Sequence, residues 1–496
     1  MDETNNGLKW GSNASFLLAT LGAALGIGKF WRFPYELYSN GGGSFLLPYI
    51  VAILLVGLPF IFLEYGLGFK FHTAFTKILT TINERFEYLG WLIVVVVFAV
   101  LPYYICIISW DALYFFLSFN KGWGSNPNAF FTNSILQTSP GLSGISHIVL
   151  PILLVVLGVW FIVWFISHKE VEKGIARAVK FLLPCMFVMV IFFVFYSFSL
   201  PGASYGLTAL FTPKWSSLLD FNVWISAFGQ VLFSLSLGEG IAMTYASYVS
   251  ENSKLADNGL TVVLVNSGLE IFISLGIFSI LGFMSVSTAK PISSLVTQGT
   301  GLAFVAYPTI LNLLGAWAYV IGPLFFLSIF FAGLGSTVSF IEPLSSSLTN
   351  KFGIKRSTVV TSLCIIGVFL SLIFTTGAGN YVLGIVDEFL NNFALMIGVI
   401  LQSIIFGWVY GVDKLIPILN RKSNFKIGKL WVITIKYLIP IILVFIWLGG
   451  LGSLIFTQDI IKLSIDLVIA ILLIIIPMVL TYLPSKDEEE NEIEVV

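Results

Sequence analysis

Charge is scarce in this chain. Asp, Glu, Lys and Arg make up 10% of its 496 residues, where a soluble globular protein carries about 25%. The formal net charge is −1 and there is no basic tract, which excludes a nucleic-acid partner. Cysteine and histidine are nearly absent, at three of each. Cys106, Cys185 and Cys364 fall inside apolar runs and read as small buried hydrophobes, not as disulfides or metal ligands. His72, His147 and His168 are scattered, so they form no metal constellation, and no nucleophile elbow is present. Nothing here points to an enzyme. The loops assigned below to the outside hold no glycosylation sequon, which favours a prokaryotic source.

Long apolar runs are abundant instead, and 57% of the residues are hydrophobic. A bilayer needs about 20 apolar residues per helix. By that ruler there are twelve spans, at 12–38, 42–70, 88–119, 148–167, 174–200, 222–250, 257–288, 318–349, 355–376, 381–411, 430–455 and 460–483. The first is too long for a cleavable signal peptide. Lys77, Arg85, Lys169, Lys173, Arg177, Lys351, Arg356 and Arg421 fall in alternate connections, against only Lys121, Lys214 and Lys290 in the others. The positive-inside rule then places both termini in the cytoplasm and the protein in the cell (plasma) membrane. Residues 1–483 read as one transporter domain, and 484–496 as a solvated acidic tail around Asp487-Glu488-Glu489-Glu490.

Two of the spans are interrupted. The first carries Gly22-Ala23-Ala24-Leu25-Gly26-Ile27-Gly28-Lys29, and the sixth carries Ser234-Leu235-Ser236-Leu237-Gly238-Glu239-Gly240. Glycine costs a helix about 1 kcal/mol relative to alanine. Non-helical backbone at membrane depth is tolerated only where it lines a cavity or packs in protein. Paired interruptions in two halves mark a secondary transporter's central site. Spans 1–5 and 6–10 are expected to form a 5+5 inverted repeat, since an odd number of spans per half flips the second half. Spans 11 and 12 (430–483) lie outside the repeat, free to form a homodimer interface or to meet only lipid.

The residues themselves resemble the neurotransmitter:sodium symporter family, in its prokaryotic amino-acid transporter branch. Gly22 to Pro34, Asn40-Gly41-Gly42-Gly43 and Pro48-Tyr49 resemble its first two helices. Gly229 to Gly238 resembles its broken sixth helix, and Thr244 to Tyr248 the inner end of that helix. Gly299 to Pro308 resembles its outer lid loop, and Ala332 to Ser336 its eighth helix.

The resemblance implies a substrate pocket of Ala23, Leu25, Gly26, Val100, Tyr104, Phe233, Ser234, Ser236, Glu239, Ser336 and Phe340. In it an amino acid's carboxylate and amine meet the unwound backbone, and Tyr104 touches the carboxylate. A second sodium site would use Gly22, Leu25, Ala332 and Ser336, while Ala24, Lys29, Ser234 and Asn266 stand at the first. Arg32 and Asp387 look like the outer gate pair, with Glu388 a rival partner, and Trp10 and Tyr248 belong to the inner gate. Glu270 beside Tyr49 and Gln230 looks like a built-in substitute for chloride.

Several positions depart from the family. Lys29 replaces an asparagine that binds the first sodium, Glu239 stands where the pocket is usually apolar or small, and Gly335 lacks an oxygen for the second sodium. The inner gate's arginine falls on Gly7 and its acidic partner on Asn350, leaving Lys9 as the candidate substitute. An ion pair between Lys29 and Glu239 across the two breaks is the simplest joint account. The expectation is an all-α, twelve-span, chloride-independent amino-acid symporter working by alternating access, with Na+ at one site. The alternatives are proton-coupled or ion-independent amino-acid or amine transport with Lys29 replacing the first sodium, or a substrate-binding sensor.

Overall fold

The structure is a computed structural model that describes residues 9–296, 300–455 and 459–486. Gly7, Gly299 and the acidic run at 487–490 lie outside the described residues.

Ten helices are long and apolar enough to cross a membrane among the described residues: Gly42–Phe71, Glu84–Ser118, Leu150–Ser167, Glu172–Phe198, Leu255–Thr288, Gly315–Phe352, Arg356–Thr375, Gly379–Asn420, Lys429–Gly449 and Ile460–Tyr482. They are spans 2–5 and 7–12. Spans 1 and 6 fall short of that length because both are broken. Span 1 is Asn13–Ala24, then a 3-10 turn Ile27–Phe30, then Arg32–Ser39. Span 6 is Phe221–Ser234 and Ile241–Ser247. Apart from an isolated bridge between Ile148 and Thr376, the described residues carry no β-structure. The fold is all-α, as expected. Span 10 runs to Asn420, nine residues past its expected end, through a π-helical stretch Ile405–Gly411 and a 3-10 turn.

Local chemistry explains both breaks. Ser12 caps span 1, its side chain accepting from the Ser15 N–H. The helix stops at Ala24, one residue before Leu25-Gly26. In span 6, Ser236, Gly238 and Gly240 have φ of +50°, +76° and +72°. Three left-handed residues in five end any right-handed helix, and two of the three are glycines that adopt this region without a Cβ clash. The freed backbone is partly re-satisfied by protein, since the Gln402 side-chain amide donates to the Gly238 carbonyl at 2.6 Å.

Span 3 is the most enclosed of the long spans, with 89% of its central window buried, whereas span 12 has 17%. Span 12 turns Leu467, Val468, Ile471 and Ile474 outward, an apolar surface matched to lipid. Span 2 meets the second half of span 6, Ile241–Ser247, at Gly68, where a methyl group would overlap the Met243 carbonyl. Gly68→Ala is therefore expected to destabilise the protein by about 1–3 kcal/mol through overpacking. The check is the melting temperature of the purified variant. An unchanged midpoint would mean that the two helices separate at no cost.

Candidate functional site

The two breaks face each other across a cavity of about 640 Å³. The elements that shape it are both halves of spans 1 and 6, spans 3 and 8 on one side, and span 10 at one end. Of the expected pocket residues, Ala23, Gly26, Val100, Tyr104, Phe233, Ser234, Ser236, Glu239, Ser336 and Phe340 all line it. Leu25 does not. Its side chain is buried at 1% exposure and only its backbone belongs to the break.

Tyr104 organises one wall. Its hydroxyl oxygen accepts from the Ile27 N–H at 3.1 Å, so the phenolic proton remains available to an anion. A Cβ on Gly26 would lie 3.0 Å from that hydroxyl and 3.2 Å from Ser336 Oγ. The bare backbone is what lets these three groups converge. Phe340 packs edge-on to the Tyr104 ring with centroids 5.4 Å apart.

The charges pair differently from expectation. Lys29 Nζ lies 3.4 Å from Glu270 Oε1 and donates to Ser234 Oγ at 3.0 Å. It does not pair with Glu239. The short 3-10 turn Ile27–Phe30 carries the lysine stem toward span 7, where Glu270 sits. Gln230 Nε2 donates to Glu270 Oε1 at 3.0 Å, and the Tyr49 hydroxyl donates to Glu270 Oε2. Asn266 Nδ2 donates to Ser234 Oγ at 2.7 Å. The Ser234 hydroxyl thus accepts two N–H bonds, which uses both of its lone pairs. Tyr49, Gln230, Glu270, Ser234, Asn266 and Lys29 form one buried network, which joins the chloride-substitute group to Lys29, Ser234 and Asn266 of the first sodium position. Lys29 is 3% exposed and Glu270 fully buried.

At the second-ion position, Ser336 Oγ donates to the Ala23 carbonyl at 3.1 Å and more weakly to that of Gly22 at 3.4 Å. Gly335 lies against Gly22, and a Cβ there would stand 3.0 Å from the Gly22 oxygen.

The two ends of the cavity differ. At one end Arg32 and Asp387 both line the wall, with no ion pair between them among the described residues. The Arg32 guanidinium stacks 4.5 Å over the Phe233 ring. Asp387 accepts from Asn391 Nδ2 at 2.7 Å. Glu388, the rival partner, is held by Lys462 of span 12 at 2.7 Å.

The opposite end is closed. Trp10 donates its indole N–H to the Tyr245 carbonyl at 2.7 Å, and its backbone N–H to the Tyr248 carbonyl at 3.0 Å. The Tyr248 hydroxyl donates to Glu342 Oε1 at 2.9 Å, and Arg356 clasps both Glu342 oxygens at 2.7 and 2.6 Å. This latch differs from expectation. Lys9 is exposed, and the work falls to Glu342 and Arg356, which sequence reasoning passed over.

Glu64 was also passed over. It is fully buried in span 2 near the turn that carries Gly238 and Gly240, and neither of its carboxylate oxygens has a hydrogen-bond partner. Its signal was available, because a carboxylate inside an apolar span is costly and usually functional.

The chain matches the model of the Sodium:neurotransmitter symporter family over residues 8–128 and 123–459. It is 40% identical over 434 residues to an uncharacterized sodium-dependent transporter of Methanocaldococcus jannaschii, covering 88% of each chain. It is 30% identical over 454 residues to sodium- and chloride-dependent creatine transporter 1 of Bos taurus, covering 82% of this chain and 71% of that one. The creatine transporter of Torpedo marmorata is 29% identical over 451 residues, with 83% and 73% covered.

Proposed function

The chain belongs to the sodium:neurotransmitter symporter family, and from that premise we propose that it takes up amino acids by sodium-coupled alternating access. The observation that carries the substrate class is the convergence of Gly26, the Tyr104 hydroxyl and Ser336 on one wall of the cavity. Unwound backbone and helix ends offer free N–H groups and partial positive charge to a carboxylate. Tyr104 adds a hydroxyl donor. Carbonyls at the two breaks suit an ammonium.

The ion coupling is reduced to one sodium. Lys29 puts a tethered ammonium where the first ion would sit, and the Ser234 hydroxyl, already accepting twice, has nothing left for a metal. The second site keeps the carbonyls of Gly22, Leu25 and Ala332 with Ser336 Oγ. Glu270 supplies a fixed negative charge, which supports transport without chloride. The paired inner latch and unbridged Arg32 and Asp387 fit a state open to the outside, with both termini cytoplasmic.

The test is uptake of labelled amino acids by proteoliposomes in sodium, choline and gluconate media. Uptake should require sodium with a Hill coefficient of about 1, which is bounded by the number of sites, and should ignore replacement of chloride. Lys29→Asn should raise the coefficient toward 2 by the same bound. Equal uptake in choline would instead favour proton-coupled or ion-independent exchange, the second reading, which the missing oxygen at Gly335 supports.

A further inference from the structure

We propose that Glu239 recognises a cationic group at the far end of the substrate, so that the site takes amino acids with a positively charged side chain. The proposal rests on the amino-acid reading above.

Glu239 stands in the break of span 6 and lines the cavity, with only 6% of its surface exposed. Its Oε2 has no hydrogen-bond partner. A buried ionised carboxylate is expensive unless something pairs with it. Among the described residues no cation pairs with it, and the Ser236 hydroxyl beside it is neutral. Of the two cations on the cavity wall, Lys29 is paired with Glu270, and Arg32 stacks over Phe233 and forms no ion pair with Glu239 among the described residues. The other acidic groups facing the cavity have their own contacts, Glu270 with Lys29, Asp387 with Asn391 and Glu388 with Lys462. Glu36 lies toward the open end and accepts from Asn40. Among the acidic groups that line the cavity, Glu239 is therefore the one with neither a cation nor an amide against it.

Its surroundings make an unpaired charge costlier still. Glu64 lies near the same turn, and repulsion between the two carboxylates adds to the need for a cation. Tyr103 and Tyr104, the other titratable groups nearby, are neutral donors. Val100, Ile107 and Phe340 give the cavity an apolar wall, suited to the methylene stem of a lysine or arginine. A substrate with a terminal ammonium or guanidinium satisfies Glu239. One with a methyl in that place leaves it stranded.

A site built to hydrogen-bond a polar group rejects the analogue that lacks it far more strongly than a greasy pocket rejects a missing methylene. Lysine and norleucine differ in little but the terminal ammonium, and they make the comparison. Purified protein in nanodiscs would be titrated with lysine, arginine, norleucine and leucine in competition with a labelled amino acid. Lysine or arginine should bind at least about 100-fold tighter than norleucine. Glu239→Gln should weaken lysine by at least tenfold, and Glu239→Leu should reverse the preference toward norleucine. Norleucine binding as well as lysine to the unaltered protein would overturn the proposal, whatever the variants do. Failure of every amino acid to bind would overturn the amino-acid reading instead.

Discussion

Lys29→Met is expected to destabilise the protein by about 3–5 kcal/mol, the cost of breaking a buried ion pair from one side. The loss comes from what is left behind. Without the ammonium, Glu270 keeps only the Tyr49 hydroxyl and the Gln230 amide, two neutral donors for a full charge in a fully buried place. Ser234 loses one of the two donors that fix its rotamer, and with it the geometry of the span 6 break. Uptake should fall below detection. The double variant Lys29→Met, Glu270→Gln removes both charges together and should recover most of the thermal stability, because replacing a whole buried pair by neutral groups is often neutral or better. The measurement is the melting temperature of the wild type, both single variants and the double variant. If the two single effects sum to that of the double variant, Lys29 and Glu270 do not interact and the network is wrongly drawn.

Arg356→Ala should have the second largest effect, at the other end of the cavity. One guanidinium joins four spans. It clasps Glu342 on span 8, which also holds Tyr248 beyond the inner half of span 6, and it donates to the carbonyls of Ser167 and Lys169 after span 4, at 3.0 Å each. Glu342 is fully buried, so truncation strands it at a cost of about 3–5 kcal/mol. That covers most of the ~5.5 kcal/mol that carries a two-state equilibrium from 99:1 to 1:99. The protein should then rest with its inner side open. Spin-label distances across the inner face would lengthen, and uptake would fall at least tenfold. Arg356→Lys should not rescue it, because an ammonium cannot clasp two oxygens in the plane of a guanidinium. Unchanged distances would mean that the hydrogen bonds of Trp10 to the Tyr245 and Tyr248 carbonyls hold the inner side alone.

The breaks were legible because glycine density reports local backbone conformation, and glycines cluster within each break, Gly22, Gly26 and Gly28 in one and Gly238 and Gly240 in the other. The pocket was legible residue by residue only through the family resemblance, which matches Val100, Tyr104, Phe233, Ser236, Glu239, Ser336 and Phe340 to its pocket wall in order. The pairing of charges was not. Lys29 and Glu239 stand in matching breaks, and sequence logic joins them. The lysine stem instead follows the 3-10 turn toward span 7 and reaches Glu270, 241 positions away. Glu342 and Arg356 escaped for a related reason. Arg356 reads as one more cytoplasmic flanking charge, and only the packing of spans 4, 8 and 9 shows that it is drawn inward. Leu25 shows the limit in the other direction, since a residue can sit in the right place and contribute backbone alone.

The contact between Gly68 and the Met243 carbonyl has a mechanical consequence. Two backbones that touch without intervening side chains have no cushion to compress and no rotamers with which to slip. Span 2 and the second half of span 6 are geared together there, tooth against tooth. A movement that unlatches Tyr248 is therefore expected to carry span 2 along with the second half of span 6.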